Sequence, residues 1–288
     1  LNEAVTKILT KDNVVTGVVT TKESYACEAV IIATGGASYP LTGSTGDGYR
    51  LAEGVGHSIT DIRPSLVPIV TEESWVKDIM GLSLRNVEVS IVSKEKVQAK
   101  MFGEMMFTHF GVTGPTILSL SNTVGKLLRK KKTAPIAVSI NLKPALTAEV
   151  LDKRLQKDFD LYSKKQLANG MKDLLPSNLI PIIISLAKLD PAKPINQITK
   201  EERHQLCHVL QHMTLTVKGL RPVEEAIVTA GGISLKEFNP KTMESKLVKG
   251  LYGAGEVLDI DAFTGGYNLQ AAFSTGYVAA MHIVHGEV

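Results

Sequence analysis

Residues 250–276, GLYGAGEVLDIDAFTGGYNLQAAFSTG, decide how the fold of this 288-residue chain is interpreted. A short apolar run ends in Gly-Ala-Gly, where a backbone without Cβ atoms can come close to a ligand. Glu256 follows this run, and Gly265 and Gly266 precede a predicted helix of small residues. The free N–H groups at such a helix start favour an electron-rich ring edge or an anion. The segment therefore predicts one wall of a ligand site, and the alternative is a helix packed tightly on a sheet.

Two other apolar runs end in paired glycines. They are VIIATGG at residues 30–36 and AIVTAGG at residues 226–232. The first is apolar on both faces, as in a buried strand of a parallel sheet, and ligands of such sheets bind at the carboxyl ends of the strands. The sequence contains no G-x-G-x-x-G dinucleotide fingerprint. We therefore expect residues 1–63 and 221–288 to fold on one sheet and to share one site.

The residue pattern of the intervening sequence changes twice. Alternating runs such as NVEVSIV and PIAVSINL predict a β-rich domain over residues 64–143 and 214–220. Residues 144–213 predict a helical lobe, in which Thr147 is a helix N-cap and Thr199 and Glu202 form a capping box. The fold class is therefore α/β, with a β-rich insertion and a helical lobe.

Composition excludes several classes of protein. Two isolated cysteines provide no disulfide framework, and no apolar run has the length of a membrane span. The net charge of only +3 and the 5% content of aromatic residues argue against nucleic acid as a partner. We expect a cytoplasmic protein with no membrane partner. Because the chain opens with Leu1 and enters directly into strand-like sequence, we also expect material upstream of it.

Three long blocks resemble the HI0933-like flavoproteins, a family that includes BaiN-type and aminoacetone-oxidase-type FAD-dependent enzymes. The blocks are VIIATGGASYPLTGSTGDGYRLAEGVGH, GEMMFTHFGVTGPTILSLS, and residues 224–276. The resemblance implies a discontinuous, Rossmann-like FAD-binding domain that carries the inserted β-rich domain and the helical lobe. Members of this family begin with a βαβ unit that binds the ADP part of FAD, and this chain does not contain that unit.

The resemblance also assigns site residues. Those implied to bind FAD are Thr34, Gly35 and Gly36 beside the dinucleotide, Gly255 and Glu256 at the ribityl or pyrophosphate, and Gly265, Gly266, Tyr267, Asn268, Leu269 and Gln270 at the turn that faces the flavin pyrimidine. His109, in FTHFGVTGP, is the candidate catalytic residue, since a histidine can donate a proton beside a hydride transfer. The alternative is that His109 caps local backbone.

The implied function is that of an FAD-dependent oxidoreductase. It would pass a hydride to an unsaturated carbonyl group of a small-molecule substrate, or electrons to dioxygen. NAD(P)H would be a transient electron donor, because residues 65–213 show no second dinucleotide domain. Two alternatives stay open: a truncated scaffold without cofactor, and a nucleic-acid-associated flavoprotein, which is suggested by the basic run at residues 129–132.

Three histidines recur at every fourth position, His204, His208 and His212, with Cys207 beside them. This spacing places them on one face of a helix and can bind a metal ion. The motif fixes no acidic partner, unlike H-E-x-x-H, so we predict no metal site and interpret these histidines as structural or solvent-facing.

Overall fold

The computed structural model describes residues 2–130 and 134–286, and the chain divides into two compact units. We call Leu1–Val67 together with Arg221–Val288 the split unit, and Pro68–Leu220 the barrel unit. The first half of the split unit contains β1 Val5–Lys11, β2 Val14–Thr20, β3 Ser24–Ala26, β4 Val30–Ile32, α1 Asp47–Glu53 and β5 Arg63–Ser65. The barrel unit contains β6 Ile69–Thr71, β7 Ser83–Ser93, β8 Lys96–Thr108, β9 Gly111–Thr113, α2 Pro115–Leu128, β10 Ile136–Asn141, α3 Ala148–Leu161, α4 Leu167–Gly170, α5 Ile180–Leu186, α6 Lys200–Gln211 and β11 Met213–Leu220. The second half of the split unit contains β12 Val228–Ala230, β13 Leu251–Gly253 and α7 Tyr267–His285.

Two glycine-ended strands that lie far apart in the sequence pair directly in the split unit. Strand β13 runs parallel to β4, with Leu251 opposite Val30 and Gly253 opposite Ile32. Strand β12 pairs antiparallel with β5, and β1, β2 and β3 form a separate antiparallel sheet. Because β4 and β13 are parallel and in register, their carboxyl ends, and the glycines that follow, lie at one edge of the sheet.

The barrel unit is built around a closed six-stranded barrel in the order β10-β11-β6-β9-β8-β7. All of its strand pairs are antiparallel. Strand β7 shows the expected alternation of buried and less buried positions, and Val87, Val89 and Ile91 point into the core. The barrel closes because β7 pairs with β10, while the pairing of β9 with β8 is limited to residues 106–108 at the end of β8.

The helices of residues 144–213 share the core of the barrel. Leu151 of α3 and Leu206 and Leu210 of α6 are completely buried in the same hydrophobic cluster as Val138 of β10. The helical segment and the barrel therefore form one unit, with boundaries at 67/68 and 220/221. Sequence reasoning placed these boundaries at 63/64 and 220/221 and drew a further one around residues 144–213.

Both predicted helix caps are present. The Thr147 side chain accepts a hydrogen bond from the Val150 N–H at the start of α3. At α6 the Thr199 hydroxyl accepts from the Glu202 N–H while the Glu202 carboxylate accepts from the Thr199 N–H, which completes a capping box. Across residues 2–130 and 134–286, no helix combines the length and the hydrophobicity that a bilayer crossing requires.

Candidate functional site

A hydroxyl and a carboxylate join the ends of β4, β12 and β13. Thr229 of β12 is completely buried, and its Oγ1 accepts from the backbone N–H groups of Ala37 and Ser38 at 2.8 and 3.1 Å. Glu256 Oε1 accepts from the Thr229 N–H at 2.8 Å and from the Ser38 hydroxyl at 3.3 Å. All three glycine-ended strands singled out in the sequence are therefore fastened together at one place.

Some of the glycines at this place serve the packing of the chain itself. A Cβ on Gly36 would lie 2.3 Å from Thr229 Oγ1 and 2.5 Å from Glu256 Oε1. A Cβ on Gly253 would lie 2.6 Å from Leu258 Cδ2. No side chain fits at either position, so the absence of a Cβ there is explained by internal contacts and does not by itself indicate a ligand.

Other glycines are less closely surrounded. Gly35 has a φ of +75°, and a Cβ there would lie 3.1 Å from Ser44 Oγ, which is a tight contact. Gly265 has a φ of +111°, and its nearest contact would be the Tyr267 ring at an ordinary 3.5 Å. Gly266 has a φ of +90° and would meet nothing within 4 Å. The backbone is therefore open at Gly266 and only lightly covered at Gly265, as a bulky ligand at van der Waals distance requires.

The start of α7 completes the site. Gly266 is the N-cap of this 19-residue helix, and no side chain accepts from its first N–H groups. The Asn268 amide instead closes the preceding loop, since its Oδ1 accepts from the Ala262 N–H at 2.9 Å and its Nδ2 donates to the Ala262 carbonyl at 3.1 Å. Thr275 Oγ1 accepts from the Gly255 N–H at 2.9 Å, which ties α7 to the turn after β13.

The remaining predicted residues lie close to this start of α7 or at the end of β4. Tyr267 and Leu269 are each 63% exposed, and Gln270 is exposed and donates to the Ser274 hydroxyl at 3.1 Å. Thr34 is exposed, and its Oγ1 would be 2.2 Å from a Cβ on Gly48. Thr34 therefore packs against α1, and the eleven residues implied to bind FAD all belong to the split unit.

Tyr49 of α1 is a residue that sequence reasoning missed. Its side chain is buried, and its hydroxyl has no hydrogen-bond partner among the described residues. Burial raises the pKa of Tyr49 to about 12, and the nearby negative charges of Glu256 and Asp259 add to the shift. A buried hydroxyl without a partner costs free energy, so it marks a place where a water molecule or a ligand group is needed.

His109 lies in the barrel unit, at the turn between β8 and β9. The side chain is exposed, and its ring meets the Phe110 ring edge-on, with the centroids 4.9 Å apart. The backbone N–H of Phe110 donates to the Thr108 hydroxyl at 3.4 Å. The candidate catalytic residue and the eleven residues implied to bind FAD thus belong to different units, and its role stays a prediction.

A second group of polar side chains in the split unit has the residue types of a hydrolytic triad, but its serine is not exposed. His57 Nε2 lies 2.9 Å from Ser245 Oγ, and His57 Nδ1 lies 2.8 Å from Glu237 Oε2. Ser245 is buried, and its Oγ accepts from the N–H groups of Leu247 and Val248. A nucleophile needs an accessible oxygen, so this network stabilises the loop and does not indicate acyl transfer.

The three histidines line a cavity of about 570 Å³ between α3 and α6. The His208 and His212 rings are 5.1 Å apart, and burial together with the neighbouring His208 lowers the pKa of His212. The Cys207 thiol is buried, which raises its pKa to about 11. In the part of the chain that the structure describes, no three His, Cys, Asp or Glu side chains are placed to hold a metal ion.

Two curated relatives match most of this chain in sequence. The chain is 28% identical to a 3-dehydro-bile acid delta(4,6)-reductase from Clostridium scindens, over 89% of this chain and 62% of that protein. It is 32% identical to a ribosomal RNA dihydrouridine synthase from Haemophilus influenzae, over 90% of this chain and 61% of that protein. The chain therefore spans about three fifths of the length of these relatives.

Among solved structures, a glycine oxidase from Bacillus cereus aligns with 99% of this chain and 51% of its own, at 16% identity and a TM-score of 0.28. The family described as the HI0933-like protein barrel and H2TH domain matches residues 63–228, which is more than half of the chain. That match covers the closed barrel and the helices that share its core. The chain therefore belongs to the HI0933-like protein family.

Proposed function

We propose that the split unit holds the flavin end of FAD and that the protein is a reductase of carbon–carbon double bonds conjugated to a carbonyl group. The observation that carries this proposal is the open backbone at Gly265 and Gly266 at the start of α7, where no side chain caps the helix. A planar ring fits against bare backbone, and the uncapped N–H groups favour negative charge on its edge. A bound flavin would supply hydride transfer to the substrate.

The chain's own residues would hold that ring. Glu256 Oε1 is engaged with Thr229 and Ser38, so Oε2 is the oxygen available to accept from a ribityl or ribose hydroxyl. The Thr275 hydroxyl keeps the Gly255 turn against α7, which fixes the position of Glu256 relative to the helix start. His109 is proposed as the group that holds the proton for the substrate, and NAD(P)H as the transient electron donor.

The relatives suggest the reacting group of the substrate. A 3-dehydro-bile acid with delta(4,6) double bonds carries alkenes conjugated to a ketone. Conversion of uridine to dihydrouridine saturates an alkene that is conjugated to a ring carbonyl. These molecules differ in size but share one reactive element, in which hydride adds to the β-carbon and a proton to the α-carbon. We therefore propose an unsaturated carbonyl compound as the substrate class.

One observation favours a uracil in RNA as a second candidate substrate beside a small enone. The barrel unit carries 22 of the 32 basic and 14 of the 29 acidic residues, a net charge of +8, while the split unit carries −5. The whole-chain charge of +3 conceals this difference. A unit with a net positive charge of this size attracts polyanions, so the charge pattern supports an RNA partner.

The experiment is anaerobic reoxidation of reduced flavin. The protein is loaded with FAD, photoreduced, and mixed with a steroid enone, with a uridine-containing RNA, or with the saturated form of either. The proposal predicts that flavin absorbance returns only with an unsaturated carbonyl compound, and which of the two restores it identifies the substrate class. If dioxygen restores the flavin absorbance and neither the enone nor the RNA does, the protein is an oxidase and the proposed reaction is overturned.

A further inference from the structure

Basic side chains from separate segments converge on one end of the barrel. Ser93 at the end of β7 pairs with Lys96 at the start of β8 and with Ile136 at the start of β10. Ala137 of β10 pairs with Thr216 of β11, so Lys218, two residues later, lies at the same end. The start of β8, the start of β10 and the end of β11 are therefore neighbours.

The C-terminal part of α2 lies at this end too. A Cβ on Gly125 of α2 would be 3.5 Å from Leu220 Cδ1 at the end of β11, and α2 packs against β11. The helix therefore brings its last exposed basic residues to the strand ends just described. We call the following six exposed residues the basic barrel end: Lys94, Lys96, Lys126, Arg129, Lys130 and Lys218.

Few acidic residues oppose this charge. Glu95 lies in the turn between β7 and β8, and Glu72 bonds through its backbone N–H to the Thr216 carbonyl. The Glu73 carboxylate also lies here, since its Oε1 accepts from the Thr216 N–H at 2.8 Å. Residues 115–130 contain no acidic residue at all. The basic run at residues 129–132 suggested a nucleic-acid-associated protein from the sequence, and its last two residues lie outside the described residues. Without them, six basic residues from three parts of the fold outnumber the three acidic residues named here.

We infer that the basic barrel end is a docking surface for the phosphate backbone of RNA. The inference rests on the second candidate substrate of the proposed function, a uracil in RNA, whose neighbouring phosphates need a positively charged surface. Lysine and arginine side chains on an exposed surface release counterions when they meet phosphates, and this release drives binding at low salt. The contacts are with phosphates and not with base edges, so they position the RNA without selecting a sequence.

The test measures binding of a short fluorescein-labelled single-stranded RNA by anisotropy over a range of salt concentrations, without added flavin. The variant Lys96→Gln/Lys126→Gln/Lys218→Gln removes one charge from each converging segment. The matched control, Lys157→Gln/Lys164→Gln/Lys172→Gln, removes three exposed charges elsewhere on the barrel unit. Surface changes of this kind alter stability by less than about 0.5 kcal/mol, and the Trp75 fluorescence of the barrel unit checks that each variant is folded.

Each lost phosphate contact lowers the salt-dependence slope by about 0.7, so the barrel-end variant should lose about 2 from the slope and bind ~10- to 100-fold more weakly near 0.1 M salt. The control should bind like the unaltered protein. Equal weakening of both triple variants, or of neither, would overturn the inference. Binding of the protein to phosphatidylserine vesicles, with no binding to the RNA, would also overturn the inference. A flavin titration of the same barrel-end variant separates loss of RNA binding from failure of the proposed flavin site. The substitutions should leave flavin binding unchanged even where they weaken RNA binding.

Discussion

Replacing Glu256 tests the junction of the three glycine-ended strands. Glu256 Oε1 accepts from the backbone N–H of Thr229, a residue with no exposed surface, at 2.8 Å. Leucine has nearly the volume of glutamate but accepts no hydrogen bond, so Glu256→Leu leaves that N–H buried without a partner. The loss of a hydrogen bond to a charged group, together with the unsatisfied N–H, should cost about 3 kcal/mol. Glu256→Gln keeps an acceptor oxygen and should cost about 1 kcal/mol.

The two units allow an internal control. Trp75 is the only tryptophan and lies in the barrel unit, where its ring packs against Phe107. Urea unfolding followed by tryptophan fluorescence therefore reports the barrel unit, while far-ultraviolet circular dichroism reports both units. Glu256→Leu should shift the circular dichroism transition and leave the tryptophan transition in place. Equal stability of the Leu and Gln variants would show that the carboxylate does not hold the junction.

Further variants address the ring site, the proton donor and the barrel helices. Gly266→Ala should weaken flavin binding at least ~10-fold, because the added Cβ would occupy the open space that the proposed ring needs. Gly36→Ala should instead lower stability, and flavin titration with urea unfolding separates the two. His109→Gln should leave flavin bound and slow single-turnover reoxidation by substrate, and loss of flavin would show that the histidine is structural. Thr199→Ala should cost the barrel unit about 1 kcal/mol by tryptophan fluorescence, and a change near zero would contradict the capping box. The hydrogen bond from Lys193 holds the pKa of Glu202 below its ordinary 4.5. Ionised Glu202 therefore stabilises the barrel unit above pH 4.5, and this stabilisation is lost as the pH falls below that value. If Glu202→Gln does not change how the stability of the barrel unit depends on acid pH, this prediction is wrong.

Local signals in the sequence predicted much of the fold. The alternation in β7 and β10 and the caps Thr147 and Thr199 depend on neighbours a few residues away, so they can be read without tertiary information. The alternating runs named in the sequence did not include Lys96–Thr108, where the structure forms β8. The packing of α3 and α6 into the barrel core depends on side chains from distant strands, and no local pattern reports it.

The candidate site, like the fold, was predicted only in part from the sequence. Paired glycines after apolar runs are visible in the sequence, but whether a glycine is packed like Gly36 or bare like Gly266 depends on what lies opposite it. Thr229 was inside a quoted run, AIVTAGG, yet its bonds to the segment after β4 cross about 190 residues. Tyr49 gave no signal, since an unpartnered hydroxyl is a property of the folded environment.

The most direct test of the account is a comparison of riboflavin, FAD and ADP as ligands. We propose that Gly265, Gly266 and the start of α7 meet the ring end of the cofactor, and these 288 residues contain no G-x-G-x-x-G loop for its phosphates. Flavin fluorescence titration should therefore give riboflavin and FAD dissociation constants within about tenfold of each other, and ADP should not displace either. Failure of both flavins to bind, or displacement of FAD by ADP alone, would contradict the claim that this site holds the flavin ring.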